Sequence, residues 1–143
     1  MANGDLFAVA GYRGGVYPRG SYSKKSYRYI KKDDKWEMKS DVKAARTVGG
    51  QSCARVINSK TGKEEVVVAG GWHTTGPPPY SPLSSTEIYT VESDTWRQGQ
   101  PLPKAMWGHA FIPYEDQILL LGGSDRGACQ PLDSIYDSIY QVG

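Results

Sequence analysis

The chain has 143 residues and a formal net charge of +2, a length that fits one domain and excludes two large ones. Seventeen glycines and ten tyrosines, against seven leucines, argue against long helices or a coiled coil, since each glycine inside a helix costs roughly 1 kcal/mol relative to alanine. No apolar run nears the roughly 20 residues of a bilayer span, and Met1 to Phe7 holds no cationic leader, so no membrane association or secretory address is read and an intracellular setting is expected.

Charge is unevenly placed. Residues 1–63 carry 14 Lys/Arg and 5 Asp/Glu, while residues 64–143 carry 3 and 10, giving halves of +9 and −7. Such a gradient fits a basic surface for an anionic partner, two surfaces that attract each other, or solvated faces with no specific role. Cys53 and Cys129 have neither disulfide-framework nor metal-site spacing and read as free structural thiols.

An internal repeat organises the chain. Phe7-Ala-Val-Ala-Gly11, then Tyr29, then Trp36, returns 60 residues later as Val67-Val-Ala-Gly-Gly71, Tyr89 and Trp96. Val42-Lys-Ala-Ala45 likewise underlies Leu102-Pro-Lys-Ala105. A third, closer copy runs through Ile118 to Gly123, and Asp133-Ser-Ile-Tyr136 resembles Ser85-Thr-Glu-Ile-Tyr89.

The middle unit resolves into four strands. Gly50 to Ile57 is the first, and Asn58 to Lys63 supplies turn residues. Glu65 to Ala69, continuous and β-branched, is expected to be covered on both faces. Gly70-Gly71 ends it, a Pro/Ser loop leads to Ser85 to Val91, and Glu92 to Thr95 turns into a fourth strand centred on Trp96. The first unit starts at a second strand and the last ends near a third, about ten strands in all.

These residues resemble kelch repeats. The features are an apolar strand ending in diglycine (Val66 to Gly71), a Tyr and a Trp with six residues between them beyond a variable loop (Tyr89, Trp96), and a Pro/Ala turn before a Gly-His strand (Leu102 to Ala110). The resemblance covers about Leu6 to Tyr140 and implies an all-β, kelch-type propeller fragment. An incomplete first blade spans about 1–43, a complete one 44–102 and an incomplete third 103–143. Gly11, Tyr29, Trp36, Gly70, Gly71, Tyr89, Trp96, Gly122 and Gly123 are its structural landmarks. Departures are Ala10 in the first diglycine and Met106 where the first copy has Arg46. Closed propellers take roughly four to eight blades, so two and a half identify a piece of a longer propeller or a self-associating arc.

The resemblance implies a noncatalytic protein-interaction module that needs no cofactor and presents the loops after second and fourth strands. In a longer parent it implies substrate recognition for a cullin ubiquitin ligase, although no BTB-like helical region is present. Actin binding, self-assembly and a kelch-type oxidase fragment are the alternatives. On the loop face, Arg13, Arg19, Lys24, Lys25 and Arg46, with Trp72, His73 and Tyr80, are the candidate contacts for an acidic protein or peptide. Pro77-Pro78-Pro79-Tyr80 matches a WW-domain ligand, or serves as a stiff loop. Tyr22 to Lys32 interleaves aromatics with five cations, yet Tyr27 and Tyr29 share a strand face opposite Arg28, which disfavours nucleic acid. His73 and His109 stand apart from any metal-type cluster, and neither a phosphate-cradling loop nor a nucleophile elbow is present, so no enzyme is expected.

Overall fold

The structure is a computed structural model and describes residues 1, 3–14, 21–47, 53–73, 81–115, 117–125 and 139–142. In chain order its strands are β1 (Leu6–Val9), β2 (Tyr12–Arg13), β3 (Ser21–Tyr22), β4 (Ser26–Ile30), β5 (Lys35–Lys39), β6 (Cys53–Ile57), β7 (Glu64–Ala69), β8 (Trp72–His73), β9 (Ser81–Pro82), β10 (Thr86–Thr90), β11 (Thr95–Gln98), β12 (Ala110–Tyr114), β13 (Gln117–Leu121) and β14 (Ile139–Val142). Three antiparallel sheets result: β1-β4-β5, β11-β10-β7-β6 and β12-β13-β14. Their ten strands match the sequence-based count, and the middle sheet has the expected four. Two short ladders, β2-β3 and β8-β9, extend the loops that sequence reading left unstructured.

The turns explain the tight hairpins. Asp34 and Asp94 take φ of 49° and 50° after the third strands, a left-handed conformation that Asp tolerates better than most residues. Tyr29 and Tyr89 each donate a phenolic hydrogen bond to the Oδ1 of the following Asp. Burial, then Asp94, pushes the Tyr89 phenol above its ordinary range.

Two apolar layers separate the three sheets. The first joins Val66, Val68, Tyr89 and Trp96 of the second sheet to Phe7 and Val9 of the first, under Val42. The second joins Ala54, Val67, Ala69 and Ile88 to Phe111, Ile118 and Leu120, closed by Leu102 and Met106. Alternation along β7 therefore sends successive residues into different layers, and its buried run from Glu65 to Ala69 follows. Cys53 is a free thiol packed beside the first layer, and burial raises its pKa. Cys129 lies outside the described residues.

The third strand of the last sheet forms on Ile139–Val142, with Tyr140 opposite Leu120, and Asp133 to Tyr136 lies outside the described residues. Asp133-Ser-Ile-Tyr136 is followed at once by an identical Asp137-Ser-Ile-Tyr140. An even, four-residue shift preserves which side chains face which side, so the two copies offer β13 the same alternation.

At the start of the chain, Asp5 is buried and fixes the first sheet. Its carboxylate accepts from the Lys31 amide (3.0 Å), Arg28 Nε (2.8 Å) and Asn3 Nδ2 (2.9 Å). The Lys31 amide, against a smaller opposing effect of burial, and then Asn3 and Arg28 hold this carboxyl below its usual range. A depressed folded-state pKa adds stability above the unfolded value of about 4 and loses it as pH falls through that region. Asp5→Asn is therefore expected to melt below the parent at pH 7, with the gap closing below about pH 4. Thermal melts of both proteins from pH 2.5 to 7 check this, and a pH-independent gap would contradict it.

Candidate functional site

All three second strands end in the same backbone break. The paired φ values are 61° and 107° at Ala10-Gly11, 63° and 98° at Gly70-Gly71, and 69° and 101° at Gly122-Gly123. Crowding also restricts Gly70. A Cβ there would stand 2.6 Å from the Met106 carbonyl oxygen and 2.7 Å from His109 Cε1. His109, 1% exposed and packed on Phe111, belongs to this wall. Ala10 bears the left-handed conformation as a non-glycine, at a cost of roughly 1–2 kcal/mol. Ala10→Gly should stabilise by about 1 kcal/mol, or roughly 2–6 °C in Tm, whereas Gly70→Ala should lower Tm by at least twice that amount. Equal and small effects at both sites, measured by thermal melts, would refute the crowding argument.

The break holds the chain that leaves the fourth strand of the same sheet. Gly71 N donates to Met106 O (2.8 Å) as Gly11 N donates to Arg46 O (2.9 Å), and Leu102 N bonds Ser84 O as Val42 N bonds Lys24 O. Thr47 and Trp72 exchange both backbone hydrogen bonds, as do Trp107 and Ser124. Loops after second and fourth strands thus meet at one end, as the meander pattern predicts.

An aromatic ledge crosses that end over three sheets. Tyr12 and Tyr22 rings stand 5.4 Å apart, Tyr22 meets His73 edge-on at 5.9 Å, and the adjacent Trp72 meets Trp107 edge-on at 5.7 Å. Tyr12 is exposed, and Tyr22, Trp72, His73 and Trp107 are half-buried. Burial first, and then the charges of Arg46 and Lys24, lower the His73 pKa, so its ring is largely neutral at pH 7. Lys24 is exposed beside it. Among the described residues, no three His, Cys, Asp or Glu side chains converge as metal ligands.

The predicted contact residues separate into distinct groups. Trp72, His73 and Lys24 meet at the ledge. Lys25 is exposed but ion-paired with Asp41 at 2.9 Å. Arg46 is corrected outright: its side chain is wholly buried and forms an interior clip. Its Nη1 donates to Gly70 O and Ser85 O (2.9 Å each), and its Nη2 donates to Ser85 Oγ (3.0 Å) and Glu87 Oε2 (2.6 Å). Glu87 in turn accepts from the Lys43 and Ala44 amides. Arg13 has its backbone in β2, and nothing is described of its side chain. Arg19 and the Pro77, Pro78, Pro79 and Tyr80 motif lie outside the described residues. Sequence reading missed Tyr12, Tyr22 and Trp107, although Tyr12 follows Ala10-Gly11 as Trp72 follows Gly70-Gly71.

The landmark aromatics divide by neighbour. Tyr89 is 1% and Trp96 9% exposed in the first layer, whereas Trp36, on the bare outer face of the first sheet, is 53% exposed. Tyr29 and Trp36 keep their mutual ring contact at 5.4 Å, close to the 5.1 Å of Tyr89 and Trp96.

Met106 fills the place of Arg46 at the second junction, also fully buried. Arg46→Met should cost about 3–5 kcal/mol, because it leaves Glu87 charged and buried without its partner. Adding Glu87→Gln should recover a large part of that loss. A double mutant no more stable than Arg46→Met in urea unfolding would contradict the pairing.

Comparison with known proteins agrees with this geometry. The kelch motif matches residues 61–103. Among curated proteins, none matches the chain in sequence. The solved structure of YjhT, a kelch-type β-propeller, superposes with a TM-score of 0.62 at 15% identity, over 87% of this chain and 33% of that one. This chain therefore spans about a third of that protein's length. With a kelch motif over residues 61–103, the same two-residue break after the second strand of three successive sheets and the fold of that propeller, the chain is a β-propeller fragment of kelch type whose sheets are blades.

Proposed function

We propose that this chain is a noncatalytic protein-interaction module that presents its diglycine end to a partner peptide or domain. The observation that carries the reading is the aromatic ledge of Tyr12, Tyr22, His73, Trp72 and Trp107, which spans three blades. Tyr and Trp give large, stiff contact areas with polar tips, and they are enriched where protein partners bind. A rigid sheet stack beneath holds the ledge in place, as befits a recognition surface on loops. Lys24 at its side favours an acidic partner, chiefly through the encounter rate. In a longer parent protein with a BTB-type domain, this end would serve as the substrate-recognition surface of a ubiquitin-ligase adaptor.

The test is a peptide selection from a random displayed library against the chain, followed by fluorescence anisotropy on the enriched sequences. Acidic peptides with an aromatic residue are expected, and binding should weaken with added salt. Tyr12→Ala combined with Lys24→Glu should weaken binding at least tenfold, about 1.4 kcal/mol, with little change in Tm. Enriched peptides that bind parent and variant equally would overturn the reading.

A further inference from the structure

The two junctions beneath the ledge share a backbone and differ in charge. At the first, the segment from Ser23 to Lys25 is held by four backbone hydrogen bonds. Ser23 N donates to Gly11 O (2.9 Å), Ala10 N to Lys25 O (2.8 Å), Val42 N to Lys24 O (2.9 Å) and Arg46 N to Ser23 O (3.4 Å). The matching bonds hold Leu83 to Ser85 at the second junction, through the amides of Leu83, Gly70, Leu102 and Met106 and the carbonyls of Gly71, Ser85, Ser84 and Leu83. Lys24 therefore occupies the place of Ser84, and Arg46 that of Met106. The residue two positions past the break is His73 at the first junction and Asp125 at the second, each following a residue bridged to the exit of a fourth strand. Where Ser84 and Met106 stand, that position carries an acid. Where Lys24 and Arg46 stand, it carries a half-buried histidine.

Few groups face the His73 ring. Tyr22 of β3 meets it edge-on at 5.9 Å, and Ser81 of β9 is its backbone partner. Burial, then the cations Arg46 and Lys24, favours its neutral form. Glu87 is buried and engaged by Arg46 at 2.6 Å and by the Lys43 and Ala44 amides. Lys24 is exposed and forms no ion pair among the described residues, whereas the Lys25 ammonium is matched by Asp41. The ledge thus holds an unmatched ammonium beside an uncharged base, on a segment that its hydrogen bonds keep in place.

We propose that this corner of the ledge is a carboxylate site, in which an Asp or Glu side chain of the partner docks between Lys24 and His73 and His73 takes up one proton on binding. The inference rests on the ledge reading and adds the chemical group that the ledge recognises. The proton comes from solvent, and the partner's carboxylate stays ionised, since its ordinary pKa is about 4. The imidazolium N–H and the Lys24 ammonium each donate a charge-assisted hydrogen bond to a carboxylate oxygen. An opposite charge at this distance stabilises the imidazolium, so the bound complex holds the proton to higher pH than the free protein does. Affinity therefore rises as the pH falls through the bound value and levels off below the free one.

The acidic peptides enriched in the library selection serve as the probe. In fluorescence anisotropy their Kd should fall at least about threefold between about pH 7.5 and 5.5. His73→Gln should bind with the same affinity at both pH values, and so should His73→Phe, which keeps a ring against Tyr22. His109 and the remaining groups titrate alike in parent and variants, so the difference isolates His73. Replacing the peptide's Asp and Glu residues one at a time by Asn and Gln should remove the pH dependence at one position. A parent Kd that does not move with pH, or that moves equally in both His73 variants, overturns the proposal. The ledge reading still stands in that case if Tyr12→Ala with Lys24→Glu weakens binding. When no peptide is enriched, or the enriched ones bind that double variant as they bind the parent, the ledge reading fails and this proposal fails with it.

Discussion

Blades two and three meet at Gly70. Its carbonyl accepts from Arg46, on the segment that leads into blade two, its own strand belongs to blade two, and the Met106 carbonyl and His109 ring of blade three occupy the space a side chain would need. This close approach lets β7 stop, turn through two positive φ values and release Trp72 and His73 toward the ledge. Without it, neither the exit path nor the pairing of Thr47 with Trp72 could form as they do. Glycine is required by two independent constraints at one point, conformation and space.

The two junctions share a backbone design and differ in side chains. The same amide-to-carbonyl bonds recur sixty residues apart, at lengths agreeing within about 0.3 Å. Around them, one junction has a buried Arg46–Glu87 pair that engages the Gly70 and Ser85 carbonyls and the Lys43 and Ala44 amides, and the other has Met106 in an apolar layer. Both solutions are physically reasonable, because a well-paired buried ion pair and a packed apolar side chain of similar volume differ little in net stability. The backbone network therefore defines the repeat, and the side chains at its centre are free to vary as complete sets.

The ledge follows from this shared framework. Residues just past the breaks at Ala10-Gly11 and Gly70-Gly71 leave the packed layers and become available for recognition, so Tyr12 and Trp72 stand in line across blades.

The repeat landmarks carried most of the fold in plain sight. Gly70-Gly71, Tyr89 and Trp96, each echoed at a fixed distance, were sufficient for strand order, blade type and the end where the loops converge, because identical packing tasks demand identical residue types at identical spacing. The fate of individual side chains was not legible. Arg46 reads as a surface cation and is instead interior, since its partner Glu87 lies 41 residues away and only the packed blades bring them together. Trp36 reads like Trp96 and is half-exposed, because burial depends on a neighbouring sheet and not on the residue. Local periodicity determined which residues share a face; tertiary packing alone decided what, if anything, covers that face.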